Sequence, residues 1–115
     1  MELGLTFPLQ RFLKRRPPPY GAQPDRCFCW DLHVIRLRGC QCLLAVHCRS
    51  RYAFVRYDVP PLQWGDLPGL FRAGLLESLA AAGFSRALGE GYLRRAGRIE
   101  LTRTHGRREV AFLNR

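Results

Sequence analysis

The apolar positions of the chain change their period from segment to segment. Leu9, Phe12 and Leu13 fall at i, i+3 and i+4, while Arg11, Lys14 and Arg15 face elsewhere, which is one helical stripe. Thr6 can cap this segment, Pro8 is tolerated in its first turn, and Pro17-Pro18-Pro19 stops it. From Leu32 to Arg38 apolar and basic residues alternate, which predicts a strand or a short helix carrying Trp30; Gly39 breaks it. Cys40 to His47, built on the apolar run Cys42 to Val46, reads as a central strand. Arg51 to Tyr57 alternates among β formers and reads as a second strand, so the two predict a hairpin.

After Pro60-Pro61 the period returns to helical. Asp66 caps a helix from Leu67 to Ala82, with Pro68 in its first turn and Gly83 as its stop. Leu67, Leu70, Phe71, Leu75, Leu79 and Ala82 form its apolar face. Gly89, Gly91 and Gly97 punctuate the next segment, and Gly89-Glu90-Gly91 reads as a turn rather than a phosphate cradle. Arg98 to Arg103 alternates as a short edge strand, and Gly106 to Asn114 reads as a strand or short helix. The pattern predicts one α+β domain over residues 1–115: a small antiparallel sheet packed against one long helix, with a short N-terminal helix.

Length and composition narrow the class. A chain of 115 residues suits one hydrophobic core, and 47% hydrophobic content argues against disorder of the whole chain. The longest apolar runs, Cys42 to Val46 and Leu79 to Ala82, are too short to span a bilayer. The first residues lack the order of a signal peptide, because Pro8, Gln10 and Arg11 interrupt the apolar positions and the charges come after them. A cytoplasmic location is expected. The net charge is +10, from 19 basic and 9 acidic residues, and Lys14 is the single lysine. GC-rich codon usage accounts for arginine replacing lysine but not for the surplus of base over acid. That surplus attracts phosphate backbones or acidic proteins.

All five cysteines lie between Cys27 and Cys48. A structural zinc would draw on Cys27, Cys29, Cys40, Cys42 or His47. Yet Cys-x-Cys on a strand places the Cα atoms roughly 6.5–7 Å apart, whereas thiolates sharing a zinc come within about 4 Å. The count is odd, which disfavours a disulfide framework. His47 and Cys48 are neighbours, and on a strand they point to opposite faces. Packing as small hydrophobes is the simplest reading, so no metal and no cofactor are expected.

The basic residues fall into clusters: Arg11, Lys14, Arg15 and Arg16; then Arg94, Arg95 and Arg98; then Arg103, Arg107 and Arg108. Tyr20, Trp30, Tyr52, Tyr57, Trp64 and Tyr92 lie between them, and arginine with aromatics is the material of phosphate contact and base stacking. A solvated charged face is the simpler alternative. Trp30 and Trp64 read as core packing. No ordered nucleic-acid motif accompanies the clusters. The acids form no close pair on one helix face, and there is no P-loop, dinucleotide fingerprint or G-x-S-x-G elbow. An enzyme is not expected, and no small-molecule substrate is inferred.

Several pieces together resemble a small bacterial and phage domain family of unknown function. They are Leu3 and Thr6 after Met1, then Trp30, Cys42-Leu43-Leu44, the strand Tyr52 to Val55, the helix from Leu67, and Thr104, Arg107 and Asn114. The chain departs from that pattern at Gln41, where the family has a basic residue, and over Arg108 to Phe112, where it has a small apolar run. The resemblance implies a compact α+β domain and supplies no activity.

The expected function is non-catalytic binding through an arginine-rich face made of Arg11, Lys14, Arg15, Arg16, Arg94, Arg95, Arg103, Arg107 and Arg108. The first expected partner is nucleic acid, contacted at phosphates with little sequence readout. The alternative is a protein or nucleoprotein partner, as for a phage or plasmid accessory factor that blocks a host defence complex. A weaker alternative is a zinc-stabilised module. No membrane partner is expected.

Overall fold

In the computed structural model the described residues are 1–106. Among these residues five strands and three α-helices run in the order β1 (Glu2–Leu5), α1 (Phe7–Phe12), β2 (Cys29–Leu37), β3 (Cys40–His47), β4 (Ala53–Arg56), α2 (Leu67–Ala81), α3 (Arg86–Ala96) and β5 (Glu100–Arg103). The strands form one sheet in the order β4-β3-β2-β1-β5. β3 and β4 make the expected hairpin, and the Leu32 to Arg38 segment, open between strand and helix in the sequence, is the strand β2, antiparallel to β3, with Leu32 opposite Ala45 and Ala45 opposite Phe54. β1 runs parallel to both β2 and β5, so the sheet is mixed and not antiparallel alone.

The helices lie on one face. Leu3, Leu5, Trp30, Leu32, Ala45 and Phe54 point to that face and bury against Leu9, Trp64, Leu67, Leu70, Phe71 and Leu75. Trp30 is at the centre, with the rings of Phe71 at 5.0 Å, Phe54 at 5.8 Å and His47 at 4.9 Å. Both tryptophans are buried, as expected. Strand alternation turns Glu2, Cys29, Asp31, His33, Cys42 and Thr102 to the opposite face.

Local chemistry sets the helix starts. The Thr6 side chain accepts from the Leu9 N–H, and the Asp66 side chain accepts from the Gly69 N–H at 3.1 Å. The helix expected over Leu67 to Ala82 is α2, and the strand expected at Arg98 to Arg103 is β5.

Two elements differ from expectation. The segment read as a Gly89-Glu90-Gly91 turn is the middle of α3, so α2 is not the one helix packed behind the sheet. Ser85 caps α3, and Gly97 ends it at φ +71°. Gly89 is there because α2 and α3 approach closely: a Cβ on it would lie 2.7 Å from Leu76 Cδ2. The other difference is β1, for which the sequence pattern gives no element and which pairs with β2 on one side and β5 on the other. The segment read as a strand or helix from Gly106 to Asn114 lies outside the described residues from 107 onward. No helix among the described residues is long and apolar enough to cross a membrane.

Candidate functional site

The parallel pairing of β1 with both neighbours assembles a polar cluster on the face away from the helices. Glu2 of β1 lies beside Cys29 of β2, and Gly4 lies between Asp31 and Thr102. β5 then carries the chain to His105. Its Nδ1 is 2.8 Å from Asp31 Oδ1, and its Nε2 is 3.0 Å from Glu2 Oε1. The His105 backbone N–H also donates to Asp31, at 3.2 Å. Asp31 is fully buried and Glu2 is 6% exposed. The remaining Glu2 oxygen, Oε2, accepts from the N–H groups of Ala22 at 2.7 Å and Gln23 at 3.0 Å.

Two cysteines complete the cluster. Cys48 Sγ is 3.6 Å from His105 Nδ1. The donor atoms of Glu2, Cys29 and His105 lie within 4.8 Å of one another, as do those of Asp31, Cys48 and His105. A cleft of about 370 Å³ opens onto Glu2, Cys29 and His105 and is also lined by Tyr20, Gly21 and Arg26.

The environment polarises these groups. Burial opposes charge on His105, but the hydrogen bond and charge of Asp31, then those of Glu2, outweigh it and raise its pKa above the ordinary value. Burial likewise opposes ionised Glu2, yet the Ala22 N–H, His105 and the Gln23 N–H together hold it below the usual range. Burial, with the Glu2 charge behind it, pushes the Cys29 thiol up to about 11. His33 sits apart, 2.6 Å from the Thr6 hydroxyl, and burial lowers its pKa.

The glycine at position 4 is a steric requirement of this cluster. A Cβ there would lie 2.2 Å from Asp31 Oδ1, 2.8 Å from Thr104 Cα and 2.9 Å from the Arg103 carbonyl oxygen. Two of those atoms are backbone and cannot rotate away. Gly4→Ala is therefore expected to cost about 1–3 kcal/mol by overpacking, read as a lower urea midpoint; an unchanged midpoint would contradict this close approach.

The cysteine set weighed from the sequence does not assemble. Cys42 pairs across from Ile35, and Cys29 lies at the other end of β2, roughly 20 Å away by strand rise. Cys40 is at the same far end, opposite Leu37. His47 is on the helix face, and its nitrogens are taken by the Cys27 carbonyl at 2.9 Å and the Ser50 hydroxyl at 2.6 Å. Cys27 lies in the short 3-10 turn before β2. Cys27, Cys29, Cys40, Cys42 and His47 therefore do not converge on one ion. Cys48 does meet a histidine, but it is His105 and not the adjacent His47.

The basic residues gather at both ends of the sheet rather than on one face. α1 leaves the carboxyl end of β1, and Arg11, Lys14, Arg15 and Arg16 come next, all exposed. β2 is parallel to β1, so Arg36 and Arg38, near and just past its carboxyl end, lie at the same end of the sheet. Arg103, at the carboxyl end of β5, is partly occupied. Its guanidinium donates to the Pro18 carbonyl at 3.0 Å and stacks over the Tyr20 ring at 4.4 Å. Arg94 and Arg95 lie in the last turn of α3, which leads to the amino ends of β1 and β5, the opposite end of the sheet. Arg107 and Arg108 are outside the described residues.

A family model matches residues 2–115. The chain belongs to that family, a domain of unknown function (DUF6933). Neither the curated proteins nor the solved structures gave a match. The pieces that carried the resemblance have structural roles here. Leu3 is fully buried in the core, Thr6 caps α1 and bonds His33, and Trp30 centres the aromatic cluster. The polar cluster is not legible in the sequence because Glu2 and His105 are 103 positions apart. The available signal is indirect. Glu2 lies inside Met1-Glu2-Leu3, Asp31 comes directly after Trp30, and His105 lies inside Thr104-His105-Gly106-Arg107, so three separated motif pieces converge at one place.

Proposed function

We propose that the chain is a non-catalytic binding protein whose basic end contacts the phosphates of nucleic acid with little sequence readout. The observation that carries this reading is the charge at the carboxyl ends of β1, β2 and β5, where Arg11, Lys14, Arg15, Arg16, Arg36 and Arg38 are exposed. Most of the described acids are engaged by other groups. Glu2 and Asp31 are enclosed on His105, Asp25 and Asp66 cap turns, and Glu77 and Glu90 pair with Arg56 and Arg86. Among the described acids that leaves Asp58 and Glu100. Aromatic surface lies at the same end: Phe7 is 67% exposed and Tyr20 76% exposed, and with Arg103 they line a cleft of about 200 Å³. Phosphate neutralisation beside an exposed ring is how sequence-tolerant binding to single strands works.

The test is the affinity of nuclease-treated protein for a random single strand and a random duplex across a salt series. Five neutralised phosphates of a duplex give a log–log slope of about −4.5, so a fourfold rise in salt weakens binding roughly 500-fold. Changing Lys14, Arg15 and Arg16 together to alanine should flatten that slope by about 2.7. Phe7→Ala should weaken single-strand binding by about 5-fold or more and leave duplex binding alone. Changing Arg94 and Arg95 to alanine should matter far less. Equal losses from both arginine sets would mean diffuse charge rather than a site. No binding at low salt would overturn the reading and favour a protein partner.

A further inference from the structure

We propose that Glu2 Oε1, Cys29 Sγ and His105 Nε2 form a site for one divalent transition-metal ion of the zinc type. Carboxylate, thiolate and imidazole are the three ligand classes zinc accepts. One donor atom from each of the three residues already lies within 4.8 Å of the others. Tetrahedral ligands of zinc are about 3.3–3.7 Å apart, so closing the set asks for a shift of about 1 Å.

The surroundings are those of a built site. A metal-bound histidine ordinarily donates its other ring N–H to a carboxylate, which fixes the ring and the tautomer. Asp31, fully buried, stands 2.8 Å from His105 Nδ1 and leaves Nε2 to face Glu2 Oε1 at 3.0 Å. Glu2 is oriented in the same way: the Ala22 and Gln23 N–H groups hold Oε2 and leave Oε1 on the imidazole side. All three residues line the cleft that holds Tyr20, Gly21 and Arg26, which gives an ion a path in.

The second set of donors, Asp31, Cys48 and His105, is a poorer site. It would use Nδ1 and so displace the Asp31 contact that fixes the ring, and neither Asp31 nor Cys48 lines that cleft.

The probe is cobalt(II) added to the chelator-treated, full-length reduced protein, with zinc content measured in parallel. One equivalent should bind and give a thiolate-to-cobalt charge-transfer band in the near ultraviolet. Cys29→Ser should abolish the band while circular dichroism stays native. Asp31→Asn should weaken affinity 10- to 100-fold without removing the band. Cys40→Ser and Cys42→Ser should change nothing. No stoichiometric uptake by the unaltered protein overturns the proposal whatever the variants do. So does a band that survives Cys29→Ser, or one lost in Cys48→Ser alone.

Discussion

Replacing His105 by glutamine is expected to destabilise the fold by about 3–5 kcal/mol near pH 6, because it leaves two buried carboxylates without their shared cation. The imidazole lies between Asp31 and Glu2, and its side chain is 11% exposed. Glutamine keeps a polar group of similar reach but cannot carry the charge. The loss should also depend on pH in a defined way. The folded pKa of His105 is raised, so its contribution is fully present below the ordinary value of 6.5 and fades as pH climbs through the raised value. The folded pKa of Glu2 is lowered, so its contribution is present above the ordinary value of 4.5 and fades as pH falls through the lowered value. The difference between the native chain and the variant should therefore peak between pH 4.5 and 6.5 and shrink on either side. His33, with its lowered pKa, costs stability as pH falls below 6.5, but it does so in both proteins and cancels in the difference. Urea unfolding in the presence of a chelator, at several pH values, measures this directly. A loss below about 1 kcal/mol, or one that does not vary with pH, would mean the imidazolium is not the link between the strands.

Phe71→Ala should cost about 3–5 kcal/mol by the cavity it leaves, a large share of the roughly 5–15 kcal/mol that holds a domain of this size together. Phe71 is fully buried on α2, and its ring meets those of Trp30 at 5.0 Å and Phe54 at 5.8 Å. It is the point where α2 closes on the middle of the sheet. Phe7→Ala serves as the control. That side chain is 67% exposed, so its loss should move stability by about 0.5 kcal/mol or less. The same substitution on two helices thus separates a core role from a surface role. Similar losses at both positions would contradict the packing described for α2. The comparison also bears on binding, because a stable Phe7→Ala protein is the one needed for the single-strand measurement.

Much of the fold can be read from the sequence where one segment carries its own signal. The β3 strand carries the unbroken apolar run Cys42 to Val46, and α2 has a cap, a first-turn proline, a periodic face and a stop glycine within one stretch. Thr6 identifies itself as a cap because that chemistry acts over three residues. α3 escapes such a reading for the opposite reason. Its glycines look like turn punctuation, yet Gly89 answers to Leu76 on another helix, a contact no local pattern encodes. β1 is four residues long and has no period of its own, so its state is set by the two strands that flank it.

The candidate site divides along the same line. The sequence determined the excess of positive charge, the exposed arginines after α1, and the apolar character of the two core strands. These come from composition and from periods of two or 3.6 residues. Only the tertiary structure decided which acids are removed from the surface and which cysteine meets which histidine. The reason is the parallel insertion of β1 between β2 and β5: it brings Glu2, Asp31 and His105 to adjacent positions, and hydrogen bonds formed there depend on distance in space and not on separation along the chain.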